Sequence, residues 1–279
     1  MTLDWEHIAE IIESRGQTGF PTLPCQGRFF GRFNQTPQPI TYDQLMRENF
    51  ENTSAPLRAF FDDVMDTCSV DVLAYYLPFH GSADWGIYIL DAGVDMLANT
   101  LIHLSDNTLL RPDAEYLAKH KLLLHELGHH AVEIVHTSLE IDPNNPVPGS
   151  YRSTRLPGAQ AQRFHENEEA VCNRSVKWNK REFEIRALSH FDVVSDFMLR
   201  QPPGYNRFGE IKNSNLLENI LDTRLTGPLQ PETSSNLEKE FFTHSTLPRV
   251  RPGSIIGLNN PIGFEVPIYL IRTGKQLKK

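Results

Sequence analysis

At 279 residues the chain is long enough for one large domain or two modest ones. Its formal charge of −8 argues against broad, sequence-independent affinity for nucleic acid, and no run approaches the roughly 18 apolar residues of a membrane span. Three widely spaced cysteines, Cys25, Cys68 and Cys172, form no paired motif, and the acidic first residues lack the positive start of a signal peptide. The expectation is a soluble cytoplasmic protein.

In chain order, residues 3–14 read as a short amphipathic helix with Leu3, Ile8, Ile11 and Ile12 on its apolar side, stopped by Gly16 and Gly19. The Pro-, Gly- and Phe-rich stretch that follows, up to about Gln44, has no lasting period and reads as an irregular arm. A second helix is expected over residues 56–76, with Pro56 in its first turn. Residues 85–90 (WGIYIL) and 99–104 (NTLIHL) read as two strands of a small sheet, one edge of which could take an extended peptide. His103, on the second of these, is a candidate for the cleft.

Residues 112–136 predict the central helix. Pro112 suits its first turn, and Asp113 and Glu115 suit its electropositive end. Apolar residues cover much of its circumference, with Leu117, Leu124, Gly128, Ala131 and Val135 on one face, so the helix should be buried. Within it stands His125-Glu126-Leu127-Gly128-His129. Histidines four apart share one helical face, as two ligands of a zinc ion must. Glu126, beside the first of them, can act as the general base on a water at the same metal. Burying these polar groups in so apolar a helix is costly unless a partner such as a metal satisfies them. Gly128, between the histidines, suggests that another backbone comes close.

A catalytic zinc takes three protein ligands and leaves a position for water. His136 lies two turns beyond His129, roughly 10 Å along the axis, which is too far. His130 projects to another side of the helix and is read as structural. After a proline-rich loop over residues 142–162, typical of a binding loop or lid, helical character returns over 163–173 with Glu166, Glu168 and Glu169. Glu166 and Glu169 share a face and Glu168 points away from it, so the third ligand is sought among these carboxylates. Donors for an oxyanion are sought at Tyr151 and His165. Further helix is expected over 180–199 and 213–221, a surface loop over 227–235, and a strand over 264–271 in which Pro267 favours an edge or a bulge.

HELGHH followed by EAVCNRSV resembles the ImmA/IrrE family of gluzincin-like zinc metallopeptidases, whose pattern is an HExxHH-like helix and then ExxANxFA. The resemblance covers residues 85–199 and makes the chain a divergent member. Cys172 stands at the small alanine, Asn173 at the asparagine, and Ser175 and Val176 replace phenylalanine and alanine. It implies an α+β, zincin-like domain: a small sheet packed against a central metal-binding helix, mostly helical elsewhere. It also implies that His125, His129 and Glu169 bind Zn(2+) and that Glu126 activates the water. The substrate expected is a protein or peptide, with a regulator among the candidates. A zinc amidohydrolase acting on a small molecule and a non-enzymatic interaction scaffold are the alternatives. The corresponding domain boundaries are an N-terminal region over 1–80, the metallopeptidase domain over 81–200 and a C-terminal extension over 201–279.

Overall fold

The computed structural model describes residues 39–50, 73–79, 85–140, 146, 159–222, 231–244 and 266–272. The expected helix over 3–14, the irregular arm before residue 39, the stretch 56–72 and the loop from 142 to 158 (apart from Pro146) lie outside the described residues. The architecture is α+β: a four-stranded mixed sheet of order β1-β4-β3-β2, with helices around it. The strands are β1 (Pro39–Ile40), β2 (Ala74–Leu77), β3 (Gly86–Leu90) and β4 (Ile268–Ile271). β2 runs antiparallel to β3, β3 parallel to β4 and β1 antiparallel to β4.

Every residue of β3 is buried, as a strand paired on both sides and covered on both faces requires. Residues 74–76 extend as part of β2 rather than ending a helix. Their burial alternates about Tyr75, which stacks on its cross-strand partner Tyr88 at 4.9 Å. Tyr88 in turn stacks on Tyr269 at 4.6 Å, so three tyrosines form a ladder across β2, β3 and β4. Pro267 does not mark an edge. It lies just before β4, where its missing N–H costs the ladder nothing, and its carbonyl accepts from the Ile87 amide at 2.8 Å. In the short segment before Phe50, α1 (Tyr42–Arg47) starts in a capping box between Thr41 and Gln44.

The run NTLIHL is helical, not a strand. It forms the end of α2 (Asp91–Leu104), which buries Val94, Leu97, Ala98 and Leu101 at helical spacing. The β-branched Thr100 lies off that stripe and turns its hydroxyl back to the Met96 carbonyl. His103 is exposed in the last turn, not in a cleft.

The long helix α3 (Arg111–Glu140) has 30 residues, about 45 Å at 1.5 Å per residue. It is buried along almost its whole length because neighbours surround it: α2, strands β2 and β3, α4 (Ala159–Trp178) and α8 (Pro231–His244). Arg111, bonded to Asp95, Asn99 and Glu115, ties its first turn to α2. The expected helix over 180–199 is broken into a 3-10 turn (Lys180–Glu182), α5 (Ile185–Leu188) and α6 (Phe191–Leu199). A 3-10 turn (Asn213–Asn215) leads into α7 (Leu216–Asp222), close to the expected span, whereas residues 231–235, read as loop, open α8. Two apolar clusters result. One joins the sheet, α2, the first half of α3 and α6. The other joins the second half of α3 to α4, α7 and α8 through Val135, Val171, Ile220 and Phe241. Among the described residues no helix is long and apolar enough to cross a membrane.

Candidate metal centre

The site forms where α3 and α4 cross. A Cβ at Gly128 would lie 2.8 Å from the Cys172 Cα, so only glycine lets the two backbones meet here. The close approach carries Glu169, one turn before Cys172, and Asn173, just after it, onto the histidine face of α3. His125, His129 and Glu169 thereby converge, with one ligand atom of each within 4.8 Å of the others.

Their outward nitrogens are anchored. His125 Nδ1 lies 2.8 Å from Asn173 Oδ1, and His129 Nδ1 lies 2.9 Å from Glu168 Oε1. The balance of donors and acceptors fixes the ring hydrogens. The Asn173 amide gives its hydrogens to Gln201 Oε1 (3.2 Å) and to the Tyr205 carbonyl (2.9 Å), so its oxygen accepts from His125. The Glu168 carboxylate has only acceptors and holds His129 in the same form. Each imidazole therefore carries a hydrogen on Nδ1 and turns Nε2 toward Glu169. This is how ligating histidines are oriented by a second layer of partners.

His125 Nε2 lies 3.0 Å from Glu169 Oε2, and His129 Nε2 lies 3.5 Å from Oε1. The first contact sets one lone pair against another. Among the described residues Glu169 Oε2 is buried and has no hydrogen-bond donor. A cation between these atoms resolves the conflict. Ligands bound at about 2.0–2.1 Å in a tetrahedron stand about 3.3 Å apart, and the 3.0 Å between His125 Nε2 and Glu169 Oε2 lies close to that.

Charges around the cluster agree with that geometry. Burial pushes the His125 imidazolium down to about 4, helped by the Lys121 ammonium, so this ring is neutral at pH 7. Burial also opposes charge on His129, but its anionic surroundings outweigh this and hold its pKa well above the usual value. Those surroundings are the Cys172 sulfur and the Glu169 and Glu168 carboxylates, and burial in turn pushes the Cys172 thiol up to about 12. Burial likewise opposes charge on Glu169, and the two histidines more than reverse it, keeping its carboxyl well below the usual range. A divalent ion bound here competes with protons for the imidazole nitrogens, so its affinity falls as pH falls.

The remaining residues singled out in the sequence divide clearly. Glu126 is buried beside His125. His165 is half exposed at the rim, its Nδ1 3.5 Å from Glu169 Oε1. With His129 and Glu168 each slightly exposed, it marks the side on which the cluster meets solvent. Tyr151 lies outside the described residues. Glu166 turns to Gln162 and Arg207 instead of the histidines. His130 meets Tyr76 at 2.9 Å, and His136 meets the Ile220 carbonyl at 3.2 Å, so both are structural partners.

Glu168 corrects the expectation that it points away. Adjacent glutamates are 100° apart on the helix, but at so close a crossing both side chains reach the histidine pair, one from each side. Gln201 and Tyr205, which complete the arrangement, carried no signal in the sequence. Tyr205 also stacks on His125 at 5.7 Å. Comparison with protein-family models, with characterised proteins and with solved structures finds no match to this chain.

Proposed function

We propose that the chain is a zinc-dependent peptidase with a zincin-like domain, in which His125, His129 and Glu169 hold the metal and Glu126 is the general base. The observation that carries this reading is the buried Glu169 Oε2, without a donor and facing the lone pair of His125. Two imidazoles and one carboxylate are a donor set suited to zinc. A zinc ion held there supplies Lewis acidity, polarising a carbonyl and lowering the pKa of water toward neutrality.

The chain's own groups have separate tasks. Glu168 and Asn173 orient the ligand histidines. Glu126, next to His125 and shielded from solvent, takes a proton from the attacking water and passes it to the departing amine. His165, at the rim, is the candidate donor to the developing oxyanion. The resemblance of HELGHH and EAVCNRSV to the ImmA/IrrE pattern supports a peptide bond in a protein as the substrate.

The test has two arms. Metal analysis of protein purified without added zinc should find about one zinc ion per chain. Glu126→Gln should keep that zinc and lose cleavage of a protein or peptide library. Retained cleavage by the variant would reject Glu126 as the base, and absence of zinc from both proteins would reject the centre.

A further inference from the structure

We infer that Gln201 is a positioning residue of the metal centre: acting through Asn173, it holds His125 in the tautomer that turns the Nε2 lone pair toward Glu169. The inference rests on the metal-centre reading above and extends it to a segment outside the HELGHH and EAVCNRSV motifs.

The Asn173 amide has two orientations. In the observed one its oxygen accepts from His125 Nδ1, and its NH2 group serves Gln201 Oε1 and the Tyr205 carbonyl. Turned over, its oxygen would stand 2.9 Å from the Tyr205 carbonyl oxygen and 3.2 Å from Gln201 Oε1, acceptor against acceptor. The turned state has an attraction, however. His125 would then accept at Nδ1 and carry its hydrogen on Nε2, where Glu169 Oε2 waits at 3.0 Å. That arrangement satisfies the buried carboxylate within the protein and leaves His125 no lone pair for a metal. The acceptors facing Asn173 decide between a centre ready for metal and one that satisfies itself.

The segment that supplies those acceptors is firmly placed. Gly204 has φ +97°, and a Cβ there would lie 2.8 Å from the Glu166 Cα, so the chain touches α4 as only glycine can. Tyr205 stacks on His125, and Phe208 is buried in the core of the sheet side. Gln201 itself is 7 % exposed. Its Nε2 is buried with no acceptor among the described residues. Its amide is therefore turned to serve Asn173 at the expense of its other end, an orientation that a merely space-filling glutamine has no reason to adopt.

The test uses the full chain, labelled with ¹⁵N-histidine and freed of metal with EDTA. Long-range ¹H–¹⁵N spectra distinguish the Nδ1–H from the Nε2–H form, and a His125→Gln variant identifies the His125 signals. The unmodified protein should show His125 as Nδ1–H. Gln201→Met, which keeps volume but removes the acceptor, should give mixed tautomers and zinc binding about tenfold weaker, measured by competition with a chromophoric chelator. Gln201→Glu, which keeps an acceptor, should restore the single Nδ1–H form. Unchanged tautomer and zinc affinity within about twofold in Gln201→Met would overturn the inference. So would an Nε2–H form in the unmodified protein, a result that stands even if Gln201→Met does not fold. The two readings fail separately. A Gln201-dependent Nδ1–H form in a protein that binds no zinc removes the metal reading alone. Zinc binding with a Gln201-independent tautomer removes the positioning role alone.

Discussion

Glu169→Gln exchanges an oxygen for an NH2 group at the point where the metal-free protein is least satisfied. The new group can donate across the 3.0 Å gap to the His125 Nε2 lone pair, while the remaining oxygen still faces His129. A hydrogen bond of this kind contributes about 0.5–1.5 kcal/mol. Removing one partner of an ordinary buried ion pair, by contrast, costs about 3–5 kcal/mol. Here the Glu168 carboxylate still faces His129 Nδ1 at 2.9 Å, which limits that loss. In EDTA the variant should therefore unfold within about 1 kcal/mol of the unmodified protein, a shift of about 2–4 °C in Tm. With zinc at 100 times its Kd the unmodified protein gains about 2.7 kcal/mol, and the variant should gain much less at the same zinc concentration. Calorimetric melts of both proteins, in EDTA and in zinc, measure all four states. A loss of several kcal/mol by the variant in EDTA, or equal zinc responses, would refute the reasoning that the carboxylate is there for a cation.

Three further outcomes are expected. Glu126→Gln should lower turnover by about 10²–10⁴-fold while zinc content stays the same, read by parallel rate and metal assays. Gly128→Ala should destabilise the chain by about 1–3 kcal/mol in urea and loosen zinc binding, because its methyl group meets the Cys172 backbone at 2.8 Å; an unaltered midpoint contradicts the close crossing. His120 sits between the Tyr42 hydroxyl and the Tyr116 carbonyl, and burial, with Lys119 adding to it, pushes its pKa down to about 4. As pH falls, the unfolded chain protonates this histidine first, so its stabilisation is complete above about pH 6.5 and lost by about pH 4, roughly 3 kcal/mol in all. His120→Gln should flatten the pH dependence of stability in that window, and identical slopes would remove His120 as its source.

The helix α3 was legible because two signals coincided: apolar residues around most of its circumference and histidines four apart. The three convergent side chains lie within or one helix away from that pattern, and Gly128 marked the approach of a second backbone. The strand–helix boundary was less accessible. NTLIHL is too short for its period to be told from a strand until Val94 and Leu97 are counted with it. A helical wheel does not place Glu168 beside His129, because it gives side-chain direction but not the distance between two helix axes. Gln201 and Tyr205 were invisible for another reason: half of what they offer Asn173 is a backbone carbonyl, which every residue possesses. Pro267 is ambiguous in the sequence because its effect depends on whether it falls inside the paired residues or just before them.

The strand order has a consequence for how the molecule is made. The helices that meet at Gly128 come from one stretch of chain and can begin to associate as soon as both have left the ribosome. The sheet cannot be completed on that schedule. Ile87 pairs with Ile268, so β3 must keep one side open through the synthesis of every helix from α2 to α8. β1 waits longer still, because its neighbour in the order is β4. A nascent chain would thus carry a formed histidine–glutamate cluster next to an unfinished hydrophobic edge, and such edges recruit other chains. In this fold the period of greatest exposure to aggregation falls after the chemistry-bearing part is assembled, and it ends only when a late strand slides into an inner position.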